Sequence, residues 1–141
     1  MHDQNLYQVL YGLTRATGER KYADEADKAL SYFLTNCQSS VTGLLPWGEH
    51  LCWGFENDDR SGWIHEFFRP WKLWDRCYAL DKPACVRFAR GLWDHQIGDK
   101  KTGGFSRHAA YQRHGPATGM DFPCHGGYYI ATWAEAYGRT K

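Results

Sequence analysis

The 141-residue sequence predicts an all-α fold of antiparallel helical hairpins, and three observations carry the prediction. Apolar residues recur at helical spacing in five segments. The connections between those segments alternate between tight turns and long loops. The chain also repeats itself with a period of about 60 residues: Leu13-Thr14-Arg15-Ala16-Thr17-Gly18 is answered by Trp74-Asp75-Arg76-Cys77-Tyr78-Ala79 and again by Ala136-Tyr137-Gly138-Arg139-Thr140. Lys28-Ala29-Leu30-Ser31-Tyr32-Phe33 pairs in the same way with Arg90-Gly91-Leu92-Trp93-Asp94-His95, and Thr42-Gly43-Leu44 with Thr102-Gly103-Gly104. Sparse identities in constant order point to repeated units, and a repeat that stops partway predicts a piece of something larger.

The first segment runs from about Gln4 to Thr17, with Leu6, Val9, Leu10 and Leu13 as its stripe, and Gly18 ends it. The second runs from about Lys21 to Cys37, with Ala23, Ala26, Leu30, Phe33 and Leu34 on one face. The third starts near Phe67 and places Trp71, Trp74, Cys77 and Tyr78 together, with Pro70 tolerable only in its first turn. The fourth opens at Pro83 behind a possible Asp81 cap and continues through Val86, Ala89, Leu92 and Trp93 to about Ile97. The fifth, from about Gly127 to Tyr137, carries Tyr129, Ile130, Trp133 and Tyr137.

Tight turns join the first pair (Gly18-Glu19-Arg20) and the second pair (around Leu80-Asp81-Lys82), whereas long loops follow the second and fourth helices. Loops of such length are usually functional. Because every second helix ends on the same side, both loops are expected on one face, with a short strand such as Leu51-Cys52-Trp53-Gly54-Phe55 in the first. The expectation is a single domain over residues 1–141, about two and a half hairpins of a partial (α/α) toroid or solenoid and the C-terminal or internal part of a larger one. A free-standing five-helix bundle is the alternative.

Near-balanced charge argues against a nucleic-acid partner, which needs a clustered basic face. No apolar run is long enough to span a bilayer, so no membrane partner is expected, and no signal peptide is visible in the chain. The cysteines, Cys37, Cys52, Cys77, Cys85 and Cys124, are odd in number and lack a Cys-x-x-Cys, which suggests reduced thiols, with Cys77 and Cys85 as small hydrophobes on helical stripes. The seven Trp, nine Tyr and seven Phe exceed what a small helical core requires, and Trp47, Trp53, Phe55, Trp63, Phe105, Tyr111 and Phe122 lie in the loops, as in a lined cleft.

Five of the seven histidines also fall in or beside the loops: His50, His65, His108, His114 and His125. Histidine titrates near neutrality and is the usual proton-transfer residue. The tract Gly18-Glu19-Arg20-Lys21-Tyr22-Ala23-Asp24-Glu25-Ala26, a helix, then Thr42-Gly43-Leu44-Leu45-Pro46-Trp47-Gly48 resembles the repeat of six-hairpin (α/α) toroid carbohydrate-active enzymes, which include glycosidases, unsaturated-uronide hydrolases and polysaccharide lyases. The resemblance covers both hairpins and implies a fold more than a reaction. It implies a carbohydrate substrate and, for the full-length protein, a periplasmic or extracellular place.

The residues themselves suggest two reactions. Hydrolysis needs two carboxyl groups. Glu49, beside His50 and flanked by Trp47 and Trp53, is the best acidic candidate; Asp58-Asp59-Arg60 reads better as a solvated turn and Glu66 as a first-turn acid that favours its helix dipole. Lyase chemistry needs a cation to neutralise a uronate carboxylate and a base for the adjacent proton. Arg107-His108, Tyr111 and Arg113-His114 offer both in one short tract. His65 and Arg69, four apart, would project together at a helix start, and Asp121 and His125 share that spacing just before Gly126-Gly127, whose N–H groups at a helix start could hold an anion.

The expected catalytic set is therefore Glu49, His65, Arg69, His108, Tyr111, His114, Asp121 and His125, and the expected substrate-binding set is Trp47, His50, Trp53, Trp63, Arg107 and Arg113. None of the His or Cys spacings is that of a zinc site, and no metal or cofactor is expected. The reading is an enzyme acting on an acidic polysaccharide or its oligosaccharides by lyase- or hydrolase-type chemistry. A sugar epimerase or isomerase that uses a histidine pair, or a non-catalytic helical-repeat module that binds a glycan or protein, are the alternatives. Helix faces left uncovered by missing hairpins leave room for self-association.

Overall fold

The computed structural model describes residues 4–54, 59–64, 71–105 and 123–141, with the backbone alone for 46–54, 59–64, 123 and 125. The fold is all-α, decorated by two small antiparallel ribbons. In chain order the elements are α1 (Gln4–Thr17), α2 (Lys21–Asn36), β1 (Pro46–Gly54), β2 (Asp59–Ile64), α3 (Trp74–Gly91), a π turn (Leu92–Gln96), β3 (Ile97–Asp99), β4 (Gly104–Phe105) and α4 (Pro123–Thr140).

The first hairpin forms where expected. Gly18 takes φ 76°, which lets its N–H close on Thr14 O at 2.9 Å and end α1. The Thr14 hydroxyl then stitches the turn, donating to Glu19 O (3.0 Å) and accepting from Ala23 N–H (2.9 Å). One face of α2 is fully buried through Ala26, Leu30 and Leu34. The α1 stripe behaves differently. Leu6, Val9 and Leu13 are 57%, 58% and 38% exposed, because helical rotation of about 100° per residue points them away from Tyr11 and Thr14, the residues that hold α2. Tyr7 and Tyr11, not the leucines, pack toward the core.

The third and fourth predicted helices together make α3, which folds back on itself at Asp81 (φ −150°, ψ 81°). Fourteen residues of continuous helix would separate Trp74 from Phe88 by about 21 Å, yet their ring centroids lie 6.0 Å apart. The two arms, residues 74–80 and 82–91, are therefore an antiparallel pair. Asp81 caps the second arm by accepting from Ala84 N–H at 2.8 Å, and Pro83 sits in its first turn, where a missing N–H costs nothing.

Three boundaries depart from expectation. The third helix begins at Trp74, not Phe67; Pro70 lies outside the described residues, and Trp71 precedes the helix but is buried, edge-on to Trp74 at 6.4 Å. The fourth is α-helical to Gly91, continues as the π turn, and gives way to β3 at Ile97. The fifth starts at Pro123, another first-turn proline, and runs to Thr140.

The hairpins stack in the same sense. Lys72 N–H donates to Gln4 Oε1 (3.1 Å) and the Arg76 guanidinium lies 5.7 Å from the Tyr11 ring, so α1 and the first arm of α3 run parallel, and so do α2 and the second arm. Leu30, Leu34, Leu44, Trp74, Cys77, Cys85, Phe88, Leu92 and Tyr129 close one core across α2, α3 and α4. Cys77 and Cys85 are the small hydrophobes anticipated, 0% and 1% exposed, and burial pushes their thiols up to about 11 and about 12. Cys37, Cys77, Cys85 and Cys124 are in no disulfide.

The 60-residue period has a physical form in two turns. In residues 39–44 the Ser39 hydroxyl accepts from Val41 and Thr42 N–H (3.3 and 3.1 Å), Gly43 N–H donates to Ser39 O (2.9 Å), and Leu44 N–H donates to Thr42 Oγ1 (3.2 Å). In residues 99–104 the Asp99 carboxylate accepts from Lys101 and Thr102 N–H (2.8 and 3.3 Å), Gly103 N–H donates to Asp99 O (2.8 Å), and Gly104 N–H donates to Thr102 Oγ1 (3.3 Å). Both glycines need positive φ, 72° and 77°.

Candidate functional site

The first long loop rises as a two-stranded ribbon. β1 and β2 pair antiparallel as Gly54↔Asp59, Trp53↔Arg60, Cys52↔Ser61 and Leu51↔Gly62, then resume at Pro46↔Ile64. Four residues of β1, Trp47-Gly48-Glu49-His50, thus stand opposite the single residue Trp63, in an expanded bulge. Bulges are enriched beside active sites because they re-aim side chains and end pairing. The strand expected at 51–55 is longer and starts at Pro46. Asp59 and Arg60, expected in a solvated turn, are strand residues of β2.

The ribbon stands on a fixed base. Leu44 and Leu45 enter it at 0% and 1% exposure, and Trp71 and Leu73 leave it at 9% each. The second loop is rooted by the turn at 99–104 and by Phe105, whose ring meets Tyr129 at 5.5 Å. A Cβ on Gly126 would lie 2.9 Å from the Phe105 ring, so that glycine admits close packing of α4. The helix start lies at Pro123, upstream of the Gly126-Gly127 pair expected to hold an anion.

Six expected site residues have a described backbone: Trp47, Glu49, His50 and Trp53 in β1, Trp63 in β2, and His125 in the first turn of α4. His65, Arg69, Arg107, His108, Tyr111, Arg113, His114 and Asp121 lie outside the described residues. Among the described residues no group of three or more His, Cys, Asp or Glu is arranged to hold a metal ion, and no helix is long and apolar enough to cross a membrane.

Sequence reasoning missed two polar features. One is Gln96, at the end of the π turn and at the root of the second loop. It is fully buried, and neither Oε1 nor Nε2 of its carboxamide has a hydrogen-bond partner among the described residues. Single π turns occur often at functional sites, but a period-based reading has no signal for one. The other is a pair of ties between hairpins. Arg76 grips the Asp27 carboxylate with both Nε and Nη2, and Tyr11 OH donates to the same carboxylate at 2.8 Å. The Arg76 hydrogen bond holds Asp27 below the usual carboxylate range, while burial and then the Asp27 bond raise the Tyr11 phenol. Arg139 repeats the device one hairpin on, reaching Asp75 and lying 5.3 Å from the Tyr78 ring. These ties fix the hairpin stack that carries both loops; their groups are already paired and are not available for proton transfer.

The loop roots, the bulged ribbon and the buried Gln96 all sit where α2 and the second arm of α3 end. A family model described as periplasmic pectate lyase matches residues 1–122 of the chain.

Proposed function

The chain belongs to the periplasmic pectate lyase family, and on that premise we propose that it carries the loop-bearing part of a polysaccharide lyase that cleaves a uronate polymer by β-elimination. The match over residues 1–122 is the observation that carries this reading, since it spans both hairpins and both long loops. The family's description favours elimination over hydrolysis, and a periplasmic place for the full-length protein.

Elimination needs little from a protein. A cation must spread the charge that builds on the carboxylate as the neighbouring C–H proton leaves. A base takes that proton, the C–O bond to the departing sugar breaks, its electrons go to the leaving oxygen, and that oxygen is protonated. A double bond remains in the new terminal uronide. Arg107 and Arg113 are assigned to the carboxylate, His108, Tyr111 and His114 to proton transfer, and His65 and Arg69 to the same two tasks from the facing loop. Asp121, His125 and Glu49 complete the acid–base set. Trp47, Trp53 and Trp63, with His50, line the sugar-binding surface, and the bulge opposite Trp63 supports that placement. The toroid remains the architecture we infer for the complete domain.

The test is turnover on polygalacturonate and on a neutral polysaccharide, recording unsaturated uronide absorbance and reducing ends together. Both signals on the uronate polymer alone are expected, with the chromophore lost in Arg107→Ala and in His108→Ala. Reducing ends without the chromophore would assign hydrolysis and sink the proposal.

A further inference from the structure

A cavity of about 550 Å³ lies between α1, the start of α2 and the first arm of α3. Four bases line it, Arg15, Arg20, Lys72 and Arg76, against one acid, Asp75. The parallel run of α1 and that arm sets the bases out in file. Lys72 stands at the Gln4 end, where the chain leaves the first loop; Arg76 lies over Tyr11; Arg15 and Arg20 stand at the short turn. Gln4 and Arg15 are about 16 Å apart along the axis of α1.

The charges do not cancel in place. Asp75 is taken by Arg139, and Arg20 meets Asp24 at 3.4 Å. Lys72 and Arg15 are exposed, and neither pairs with a carboxylate among the described residues. Arg76 is held to Asp27 through Nε and Nη2, which leaves Nη1 without a partner among the described residues. A guanidinium has five N–H donors, so the tie fixes Arg76 in place and leaves donors to spare. A cleft lined by one sign of charge focuses its field and gathers counter-ions, and the guanidinium fork matches a carboxylate. Ala23, Leu73 and Ala79 add apolar surface among the bases. Cations in file over apolar surface fit a chain of rings that each carry a carboxylate and an apolar C–H face.

We propose that this groove is an accessory binding site for an acidic polysaccharide chain, whose carboxylates meet Lys72, Arg76 and Arg15. It is separate from the loop residues assigned to elimination. Naming the chain a uronate polymer rests on the lyase reading above; the anion site itself does not.

Amide chemical-shift mapping tests this on the 141-residue chain, in a His108→Ala background so that no turnover consumes the ligand. The probes are trigalacturonate, inorganic phosphate and neutral maltotriose. Shifts at Ala23, Lys72 and Ala79 are expected with trigalacturonate, weakening as salt is raised. Arg15→Gln with Lys72→Gln removes two exposed charges and no described side-chain hydrogen bond, and should weaken binding roughly fivefold with Tm unchanged. Arg15→Glu with Lys72→Glu should abolish the shifts. Shifts absent from the groove, or unmoved by both double variants, overturn the proposal. Equal shifts with maltotriose, or with phosphate at the same concentration, assign a neutral-sugar or small-anion site and overturn it as well. The lyase reading is judged separately: groove shifts without unsaturated product from the unsubstituted chain would keep this site and remove the lyase, and product without groove shifts would do the reverse.

Discussion

The turns at 39–44 and 99–104 are written in the same hydrogen bonds and sit in opposite surroundings. In the first, Ser39 is 4% exposed and Leu44 fully buried, and the backbone of α3 presses on Gly43. In the second, Asp99, Thr102 and Gly103 are exposed, and Lys100 folds back over the Trp93 ring at 5.3 Å to cap the carbonyls of Trp93 and Ile97. A side-chain acceptor and a glycine at positive φ suffice to make the turn. The first becomes core because the second arm of α3 rests on it. Chemistry follows burial: the buried copy uses a neutral hydroxyl and the exposed one a carboxylate, whose charge water can solvate.

The harshest way to break the comparison is Gly91→Ala. The added Cβ would lie 2.2 Å from Thr42 O and 3.3 Å from Leu44 Cδ2, and the backbone carbonyl has no rotamer with which to escape. Overpacking of a tight core costs about 1–3 kcal/mol and occasionally more; this contact belongs at the upper end, and a large fall in thermal or denaturant midpoint is expected. An unchanged midpoint would mean that the second arm of α3 does not rest on this turn.

Gly43→Ala against Gly103→Ala sharpens it. Both replace a glycine at positive φ, which costs about 1 kcal/mol for alanine. Only Gly43 adds a clash, with Arg87 O at 2.7 Å, so its loss should exceed that of Gly103→Ala by about 1–3 kcal/mol in the 141-residue chain. Matching midpoints for the two variants would show that the close approach of the Arg87 backbone to this turn contributes nothing.

Gln96 and its counterpart one period earlier, Asn36, give the next contrast. Asn36 is exposed and donates to Tyr32 O at 3.0 Å, whereas the π turn carries Gln96 into the core with both amide atoms unpartnered among the described residues. An unsatisfied buried polar group costs about 1–3 kcal/mol. Gln96→Leu is therefore expected to raise the unfolding free energy by about 1 kcal/mol, and Asn36→Leu to leave it nearly unchanged. A fall for Gln96→Leu would show that the carboxamide is satisfied by a group outside the described residues.

Much of the fold was legible because its signals are local. Gly18, Asp81 and Pro83 mark ends, and Leu30, Leu34, Cys77 and Cys85 mark a buried face by spacing alone. The α1 leucines misled because a stripe says that a face is apolar, not that a neighbour covers it. The Arg76–Asp27–Tyr11 tie went unseen because nothing local pairs charges 49 residues apart. In the candidate site, residue type was readable and position was not. Histidines and tryptophans crowd the loops, but the bulge that sets Glu49 and His50 opposite Trp63 is a matter of strand register, and residues such as His108 and Tyr111 carry no period from which to infer a neighbour.

The mildest contrast is titration. The Thr102 hydroxyl bond, with the Lys101 and Thr102 N–H bonds, holds the Asp99 carboxyl below its ordinary range, and Ser39 has no ionisable counterpart. A carboxyl that titrates lower in the folded chain than in the unfolded one stabilises the fold fully above the unfolded pKa of about 3.9. That contribution declines as pH falls through the lower folded value. Acid should therefore loosen the second turn before the first: amide exchange at Lys101 and Thr102, relative to Val41 and Thr42, should accelerate below about pH 4 beyond its intrinsic pH trend. Asp99→Ser, which rebuilds the first turn's acceptor in the second, should abolish that difference, and acid loosening that persists in this variant would place its origin outside the turn.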